Sequence, residues 1–132
     1  MTSTINHELV EKFYKAMEVK DVDTILACMD QNITWINPLP DVIPFGGKYV
    51  GFEASVGYLL AISEAIDMNE FTIDEIFGDW DSFSVSGVEG SHVKSTGKTY
   101  RGEWIHIVKV KDGKVVYVRE FNDSASMQKA FI

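Results

Sequence analysis

Residues 103–123 read EWIHIVKVKDGKVVYVREFND. Alternating apolar residues on both sides of Asp112-Gly113 predict two strands joined by a tight turn. A two-residue turn would set His106 opposite Arg119. A three-residue turn that ends with Gly113 in the left-handed conformation shifts the pairing by one residue. We expect the second register, because it keeps the long cations of the hairpin on one face that can reach water.

Polar side chains interrupt the apolar pattern on one face of this hairpin. A buried polar group costs free energy unless it is hydrogen-bonded, so the hairpin is the first candidate for a functional site. In the expected register this face carries His106, Val108, Val110, Val118, Glu120 and Asn122.

The opposite face of the hairpin combines cations with an apolar band. Such a band predicts a covered surface, and we expect a homodimer contact there. This face carries Ile105, Ile107, Lys109, Lys111, Val115, Tyr117 and Arg119.

The composition limits the classes of function. A length of 132 residues predicts a single domain, residues 1–132, with a real core. A formal net charge of −8 argues against nucleic acid and against an anionic membrane surface as partners. The single cysteine, Cys28, excludes an internal disulfide and is expected to be buried. The three histidines lack metal-ligand spacing, so we expect neither a metal nor another cofactor.

The N-terminal residues 1–6 lack the basic start and the apolar run of a secretion signal. No apolar run along the chain is long enough to span a bilayer. We therefore expect a cytoplasmic protein.

Hydrophobic periodicity predicts helices first and an antiparallel meander afterwards, which indicates an α+β fold. On the third helix the expected apolar stripe contains Phe52, Val56, Leu59, Leu60 and Ser63. The predicted elements are a helix over 5–19, a short helix capped by Asp21, a strand over 33–37, a loop over 38–47, a helix over 52–66, strands after residue 69 with turns near 79 and 97–98, and a terminal helix over 124–131.

The order of elements and several local phrases resemble the NTF2-like superfamily, specifically its SnoaL-like and ketosteroid-isomerase-like domains. The resemblance covers nearly the whole chain. It implies a cystatin-like cone, in which N-terminal helices pack in a strongly curved, mostly antiparallel sheet with one open end. The phrases that carry it are FYKAM at 13–17 with KDVD at 20–23, ITWINP at 33–38, HIVKVKDGKV at 106–115 and REFND at 119–123.

The ketosteroid isomerase pattern is altered at each of its three catalytic positions. The resemblance places the donor tyrosine of that mechanism at Phe13, which has no hydroxyl. It places the general-base aspartate at Asn37 and the protonated aspartate at His106. We therefore expect no steroid isomerisation by that mechanism. Tyr14 is expected to point away from the position of Phe13, but it remains a candidate donor.

SnoaL-like polyketide cyclases resemble the chain more closely. The resemblance implies an inward histidine and an inward acid on the closing hairpin, and His106 with Glu120 fits that arrangement, with Glu in place of the expected Asp. Arg101 and Glu103 resemble part of the Asp-Arg-Asp relay of limonene-epoxide-hydrolase-like proteins, but no third member is found.

The site hypothesis is acid/base chemistry on a small apolar carbonyl compound, such as an isomerisation, an aldol-type cyclisation or a dehydration, in a cone-shaped apolar pocket with His106 and Glu120 at its polar centre. His106 would transfer the proton, Glu120 would orient it and Asn37 would hold the substrate oxygen. One alternative is a binding domain without catalysis, and another is a dimeric scaffold whose cone is filled. The expected ligand-contacting residues are Tyr14, Trp35, Trp104, Val118 and Asn122.

Overall fold

Helices precede strands along most of the chain, as the periodicity predicts. A computed structural model describes residues 2–132, with side-chain environments from Thr4 onward, and Met1 of the expected domain lies outside the described residues. The elements are α1 (Thr2–Val19), α2 (Val22–Cys28), β1 (Met29–Asn37), β2 (Gly47–Val50), α3 (Phe52–Ala65), β3 (Ile66–Asp79), β4 (Ser82–Val93), β5 (Thr99–Lys111), β6 (Lys114–Asn122) and α4 (Ser124–Phe131).

The six strands form one curved, unclosed sheet in the order β2-β1-β6-β5-β4-β3. Only β1 and β6 pair in parallel, and every other neighbouring pair is antiparallel. The α+β class and the mostly antiparallel sheet are therefore confirmed. Helices α1, α3 and α4 pack against the strands and enclose the core between themselves and the sheet.

The predicted helices are present, with small differences at their ends. Asp21 caps α2 as expected, because its carboxylate accepts a hydrogen bond from the backbone N–H of Thr24. Cys28 is buried at the end of α2, as predicted. Strand β2 is absent from the predicted elements, because it contains only four residues and directly follows a proline-rich loop.

The inward face of the closing hairpin carries the residues we expected, but the turn and the pairing that place them there are different. His106 pairs with Glu120, and Trp104 pairs with Asn122. The turn has two residues, Asp112 and Gly113, both with positive φ, which is the geometry of a tight type I′ turn.

A β-bulge at Val116, and not a longer turn, shifts the pairing by one residue, and it does so in the opposite direction to the predicted turn, towards Glu120 and away from Val118. Lys109 pairs with Tyr117, whereas the next residue, Val110, pairs with Val115, so Val116 is left without a partner in the strand register. The bulge also corrects the predicted position of Val115, which is fully buried on the inward face instead of lying on the outer one.

The buried face of α3 differs from the predicted stripe. The residues of α3 that are fully buried are Ser55 and Tyr58, one helical turn apart. Leu60 and Ser63, which the periodicity places on the buried stripe, are exposed. The rotation of the helix brings the Tyr58 hydroxyl towards the sheet.

Gly87 on β4 makes room for the largest side chain of the neighbouring strand. It lies directly opposite Trp104 of β5. The indole stacks on Phe71 of β3, with ring centroids 4.8 Å apart. A Cβ atom at Gly87 would lie 1.8 Å from the carbonyl oxygen of Thr72 and 2.6 Å from Cζ2 of Trp104. Only glycine fits this position without a movement of the β3 backbone.

We predict that Gly87→Ala lowers the free energy of unfolding by about 2 kcal/mol or more, since the added methyl group overpacks the sheet. Gly57→Ala is the matched control, because Gly57 lies on α3 and a Cβ atom there would meet only open space. The control should raise stability by up to about 1 kcal/mol through helix propensity. Urea denaturation of both variants measures the two changes, and a loss of the same size in both would contradict the packing argument.

Candidate functional site: a buried histidine–glutamate cluster

Glu120 lies at the centre of a buried polar cluster on the inward face of β6. The residue is only 8% exposed. Its Oε2 accepts hydrogen bonds from the indole N–H of Trp35, at 2.7 Å, and from the hydroxyl of Tyr58. Its Oε1 accepts from the side-chain amides of Asn37 and Asn122, each at 3.3 Å. The donors come from β1, α3 and β6, so the carboxylate joins three separate elements.

His106 contacts the same carboxylate from β5. Its Nε2 lies 3.3 Å from Oε1 of Glu120, and its Nδ1 lies 2.7 Å from the hydroxyl oxygen of Tyr14. A ring nitrogen that faces a carboxylate carries a hydrogen, so Nε2–H donates to Glu120. Nδ1 then accepts from Tyr14 when the ring is neutral and donates to it when the ring is charged. Tyr14, His106 and Glu120 therefore form a continuous path for a proton.

Two asparagines donate to the same carboxylate oxygen that His106 contacts. The Nδ2 group of Asn37 donates to the hydroxyl oxygen of Tyr58 at 2.9 Å as well as to Glu120. Its Oδ1 accepts from Asn122 at 3.0 Å. Both ends of the Asn37 amide are therefore occupied within the cluster.

Aromatic rings surround the polar cluster. Trp104 lies 4.5 Å from the ring of His106 and stacks on Tyr14 at 5.9 Å, measured between ring centroids. Trp35 packs at 5.3 Å from Tyr58. The Tyr14 side chain points into the cluster, which corrects our expectation that it would point away. The environment of Glu120 is therefore apolar beyond its hydrogen-bond partners.

The fully buried Val118 lies between Trp35 and Val108 in the sheet register. It shares the inward face with Glu120, as the hairpin pattern predicts. The structure thus brings together the eight sequence-predicted site residues on one side of the sheet. They are Tyr14, Trp35, Asn37, Trp104, His106, Val118, Glu120 and Asn122.

The environment shifts the pKa values of the cluster in opposite directions. Burial by itself raises the pKa of Glu120, but the neighbouring His106 and the hydrogen bonds from Tyr58 and Trp35 outweigh it, so the pKa lies below its ordinary value. Burial, followed by the negative charge of Glu120, holds the pKa values of Tyr14 and Tyr58 well above their ordinary range. Both phenols therefore keep their protons and remain available as donors.

Sequence reasoning missed two buried groups, Tyr58 and Glu89. Tyr58 was missed because the apolar stripe of α3 was placed on the wrong face. Glu89 lies on the inward face of β4, where its Oε2 accepts hydrogen bonds from the hydroxyls of Ser91 and Tyr100 at 2.7 and 2.6 Å. The alternation that begins at Phe83 would have predicted that Glu89 faces inward, because every second residue from Phe83 to the end of β4 is buried.

Two of the hollows in the described part of the chain bear on the site. The larger one has a volume of about 430 Å³ and is lined by Val42, Pro44, Lys94 and Phe131 among others. The smaller one, of about 10 Å³, lies between Glu89, Gly102, Asn122 and Met127. Asn122 is thus a member of the cluster that also borders a hollow. His106 and Glu120 line neither of the two, so neither hollow is the pocket that we expected around them.

The pair that resembles an epoxide hydrolase relay does not reach the cluster. Arg101 is an exposed residue and forms a two-point ion pair with Glu70 of β3. Glu103 is exposed as well. Within residues 2–132, three or more His, Cys, Asp or Glu side chains do not converge into a group that could hold a metal ion. None of the described helices is both long and apolar enough to cross a membrane.

Known proteins share this fold and sequence pattern. Residues 10–118 match the SnoaL-like domain, and the chain belongs to this family. It is 27% identical over 128 residues to YesE of Bacillus subtilis, covering 94% of this chain and 85% of that protein. It is 26% identical over 108 residues to patulin synthesis protein F of Aspergillus clavatus, covering 79% of this chain and 54% of that protein.

A solved structure agrees over the full length. The crystal structure of an NTF2-like protein from Burkholderia xenovorans superposes with a TM-score of 0.86 at 27% identity, covering 100% of this chain and 99% of that one. The fold is therefore the cystatin-like cone of the NTF2-like superfamily, as the local phrases predicted.

We predict that Glu120→Gln lowers the free energy of unfolding by about 3 kcal/mol at pH 7, because the amide removes the charge that His106 faces and brings an N–H₂ group against the surrounding donors. The folded pKa of Glu120 is lowered, so its stabilisation is complete above the unfolded pKa of about 4.3 and is lost as the pH falls through the folded value. The difference in the free energy of unfolding between wild type and variant should therefore become smaller below about pH 4.

Urea denaturation between pH 3 and pH 8 measures this difference. Glu75→Gln is the matched control, since Glu75 is exposed on β3, and it should change stability by less than about 0.5 kcal/mol. A loss in Glu120→Gln that stays constant with pH would contradict the assigned ionisation.

Proposed function

We propose that the protein is an enzyme that performs cofactor-independent acid/base chemistry on a small apolar carbonyl compound, by isomerisation, aldol-type cyclisation or dehydration. The observation that carries this proposal is the ionised Glu120 beside His106 inside an aromatic shell. Burial of an ion costs several kcal/mol, which an apolar core of the same volume avoids. Buried ionised groups whose pKa values are shifted, as that of Glu120 is, are concentrated at catalytic sites. The name of the Aspergillus relative, which refers to patulin synthesis, supports a role in small-molecule chemistry.

In this proposal His106 removes a proton from the carbon next to the carbonyl group. Glu120 fixes the tautomer of the ring and stabilises its charged form. Asn37 holds the substrate oxygen by exchanging one of its present hydrogen bonds within the cluster, and Asn122 is the neighbouring amide that can take over. Nε2–H stays on Glu120, so Nδ1 takes the proton in place of its hydrogen bond from the Tyr14 hydroxyl, and the same nitrogen later gives the proton back to carbon.

The ligand is small, apolar or aromatic, because rings form the walls around the cluster. Trp35, Trp104 and Val118 are the proposed apolar contacts. Phe131 of α4 lies between the larger hollow and the interior, with its ring 6.5 Å from that of Tyr100. We propose that the ligand enters from this side and displaces the Phe131 ring. The cytoplasmic location stays a prediction from the sequence.

Exchange of the α-protons of 2-tetralone, a bicyclic ketone, tests the proposal without knowledge of the natural substrate. In D₂O the wild-type protein should accelerate the replacement of these protons by deuterium, which NMR follows directly. His106→Gln should lower the protein-dependent rate by about 100-fold or more, because the variant has no proton acceptor. His92→Gln is the matched control, since His92 is partly exposed beside Asp67 and far from the cluster in the sheet register.

The alternative function is a binding domain without catalysis. One observation favours it, namely that both ring nitrogens of His106 are occupied within the cluster. A binder should quench tryptophan fluorescence on addition of 2-tetralone, keep its affinity in His106→Gln and leave the exchange rate at the buffer value. A dimeric scaffold with a filled cone should show neither binding nor exchange.

We also propose that the protein forms a homodimer through the outer face of the sheet. Ile105 and Phe121 form a cross-strand pair on this face and are 49% and 46% exposed. Ile107 lies beside them on the same face of β5. Exposed apolar patches of this kind mark interaction sites, and this one lies on a chain with a net charge of −8. A second copy of the chain supplies an equal and complementary apolar face.

The dimer predicts that wild-type protein has a solution mass of twice the 14.9 kDa chain. Ile105→Glu should shift the mass to that of a monomer, because a charge would be buried in the interface. Leu60→Glu is the matched control, since Leu60 is 57% exposed on α3 away from the sheet face, and it should leave the dimer intact. Light scattering coupled to gel filtration measures the masses, and a monomeric wild type would refute the proposed interface.

A further inference from the structure

Glu89 is a second buried carboxyl group, and its surroundings differ from those of Glu120. Glu89 is 8% exposed, and its Oε2 accepts two hydrogen bonds from the hydroxyls of Ser91 and Tyr100. The described part of the chain supplies no hydrogen-bond donor to its Oε1 and no cation within ion-pair distance. Two neutral hydroxyls solvate a carboxylate less well than the five donors around Glu120 do.

This imbalance disfavours the charged form of Glu89. Burial raises the pKa of Glu89 above its ordinary value, and the bonds from Tyr100 and Ser91 offset only part of that rise. In the neutral acid the hydrogen lies on Oε1, because Oε2 already accepts from both hydroxyls. The neutral form of Glu89 then presents an O–H group that has no acceptor among the residues with described side chains.

Glu89 lines the smaller hollow. Gly102 lies directly opposite Glu89 in the sheet, and the Asp123 side chain occupies the space beside it, since a Cβ atom at Gly102 would lie 2.7 Å from Cβ of Asp123. The hollow, of about 10 Å³, holds about one water molecule, so it marks a place for a single oxygen atom. Asn122 lines the same hollow and donates to Oε1 of Glu120. Asn122 thus connects the hollow that Glu89 lines with the carboxylate of Glu120.

A second free donor lies on the same inward face. Trp104 pairs with Gly87, and Glu89 pairs with Gly102, so Trp104 and Glu89 are diagonal neighbours across β4 and β5. The indole N–H of Trp104 is buried and finds no hydrogen-bond partner within the described residues. Native proteins seldom leave a buried N–H without a partner, and a bound ligand oxygen supplies one.

We propose that Glu89 is a second catalytic carboxyl group, whose neutral O–H contacts the oxygen of the carbonyl ligand and protonates it. This inference rests on the proposed function of His106. The C–H bond breaks as His106 takes the proton, the electron pair forms a C=C bond, and the carbonyl oxygen takes the proton of Glu89 to give an enol. Glu89 becomes a carboxylate, and the reverse transfers restore both groups.

The two carboxyl groups define the class of substrate. An anionic ligand would be repelled by the charge of Glu120 and by the charge that forms on Glu89 during the reaction. The net charge of −8 adds to this repulsion. We therefore assign an uncharged ketone or enone, whose oxygen lies between Glu89 and Asn122.

The exchange of α-protons in 2-tetralone tests the role of Glu89. Glu89→Gln should lower the rate at least about tenfold, because the amide keeps a hydrogen-bond donor but transfers no proton. Glu89→Asp should keep part of the activity, since it remains an acid. Glu75→Gln, on the exposed side of β3, should leave the rate unchanged. Both Glu89 variants should unfold in urea at concentrations close to that of the wild type, because a neutral group replaces a neutral group in Glu89→Gln.

The pH profile separates proton transfer from a structural role. The wild-type rate should fall as the pH rises through the raised pKa of Glu89, because the acid form reacts, and Glu89→Gln should lack this fall. The other titratable groups that face Glu89 or line its hollow stay the same in both proteins. They are Tyr58, Tyr100, Glu103, His106, Glu120 and Asp123.

Carbon-13 NMR of the glutamate carboxyl groups supplies a measurement besides activity. The signal that disappears in Glu89→Gln should titrate above the ordinary range and move on addition of 2-tetralone. If His106→Gln slows exchange but Glu89→Gln does not, the role of Glu89 is refuted and the proposed function stands. If wild type does not accelerate exchange, both are refuted. An ordinary titration of Glu89 overturns the inference alone.

Discussion

The carboxylate of Glu120 is the constraint on which the rest of the site depends. An ion in an apolar interior is tolerated only when hydrogen bonds and an opposite charge replace the water that it has lost. Here the partners come from β1, α3, β5 and β6. The requirement to solvate one group therefore constrains the relative positions of elements that are far apart in the sequence. The hydrogen bond from Tyr58 to Glu120 orients helix α3, together with the apolar contacts of the helix.

The inward residues of the closing hairpin were predictable because a strand has a period of two residues. Once His106 is placed on the inward face, Glu120 and Asn122 follow from the register. The bulge at Val116 was not predictable, since valine favours regular strands and no glycine marks the position. The correct inward face was predicted from an incorrect turn, because any one-residue change of the pairing moves the same side chains to that face.

The missed residues have physical explanations. Helix α3 has apolar residues on most of its circumference, so the periodicity gives little contrast between Tyr58, which is buried, and Leu60, which is exposed. Gly87 and Ser91, with their small side chains, weaken the alternation around Glu89, although both are buried. In both cases tertiary contacts determine that the polar side chain is buried, and no local sequence pattern contains those contacts.

The bulge at Val116 has a consequence for comparisons between related chains. Each residue of β6 beyond it stands one position further along the chain than it would in a regular ladder. A relative whose strand lacks that position can pair the residues beyond it with the same partners on β5 from the same two-residue turn. Matching such a sequence column by column, without a gap at this point, would assign outward-facing residues to inward-facing roles. The length of β6 therefore carries information about the site that residue identity does not.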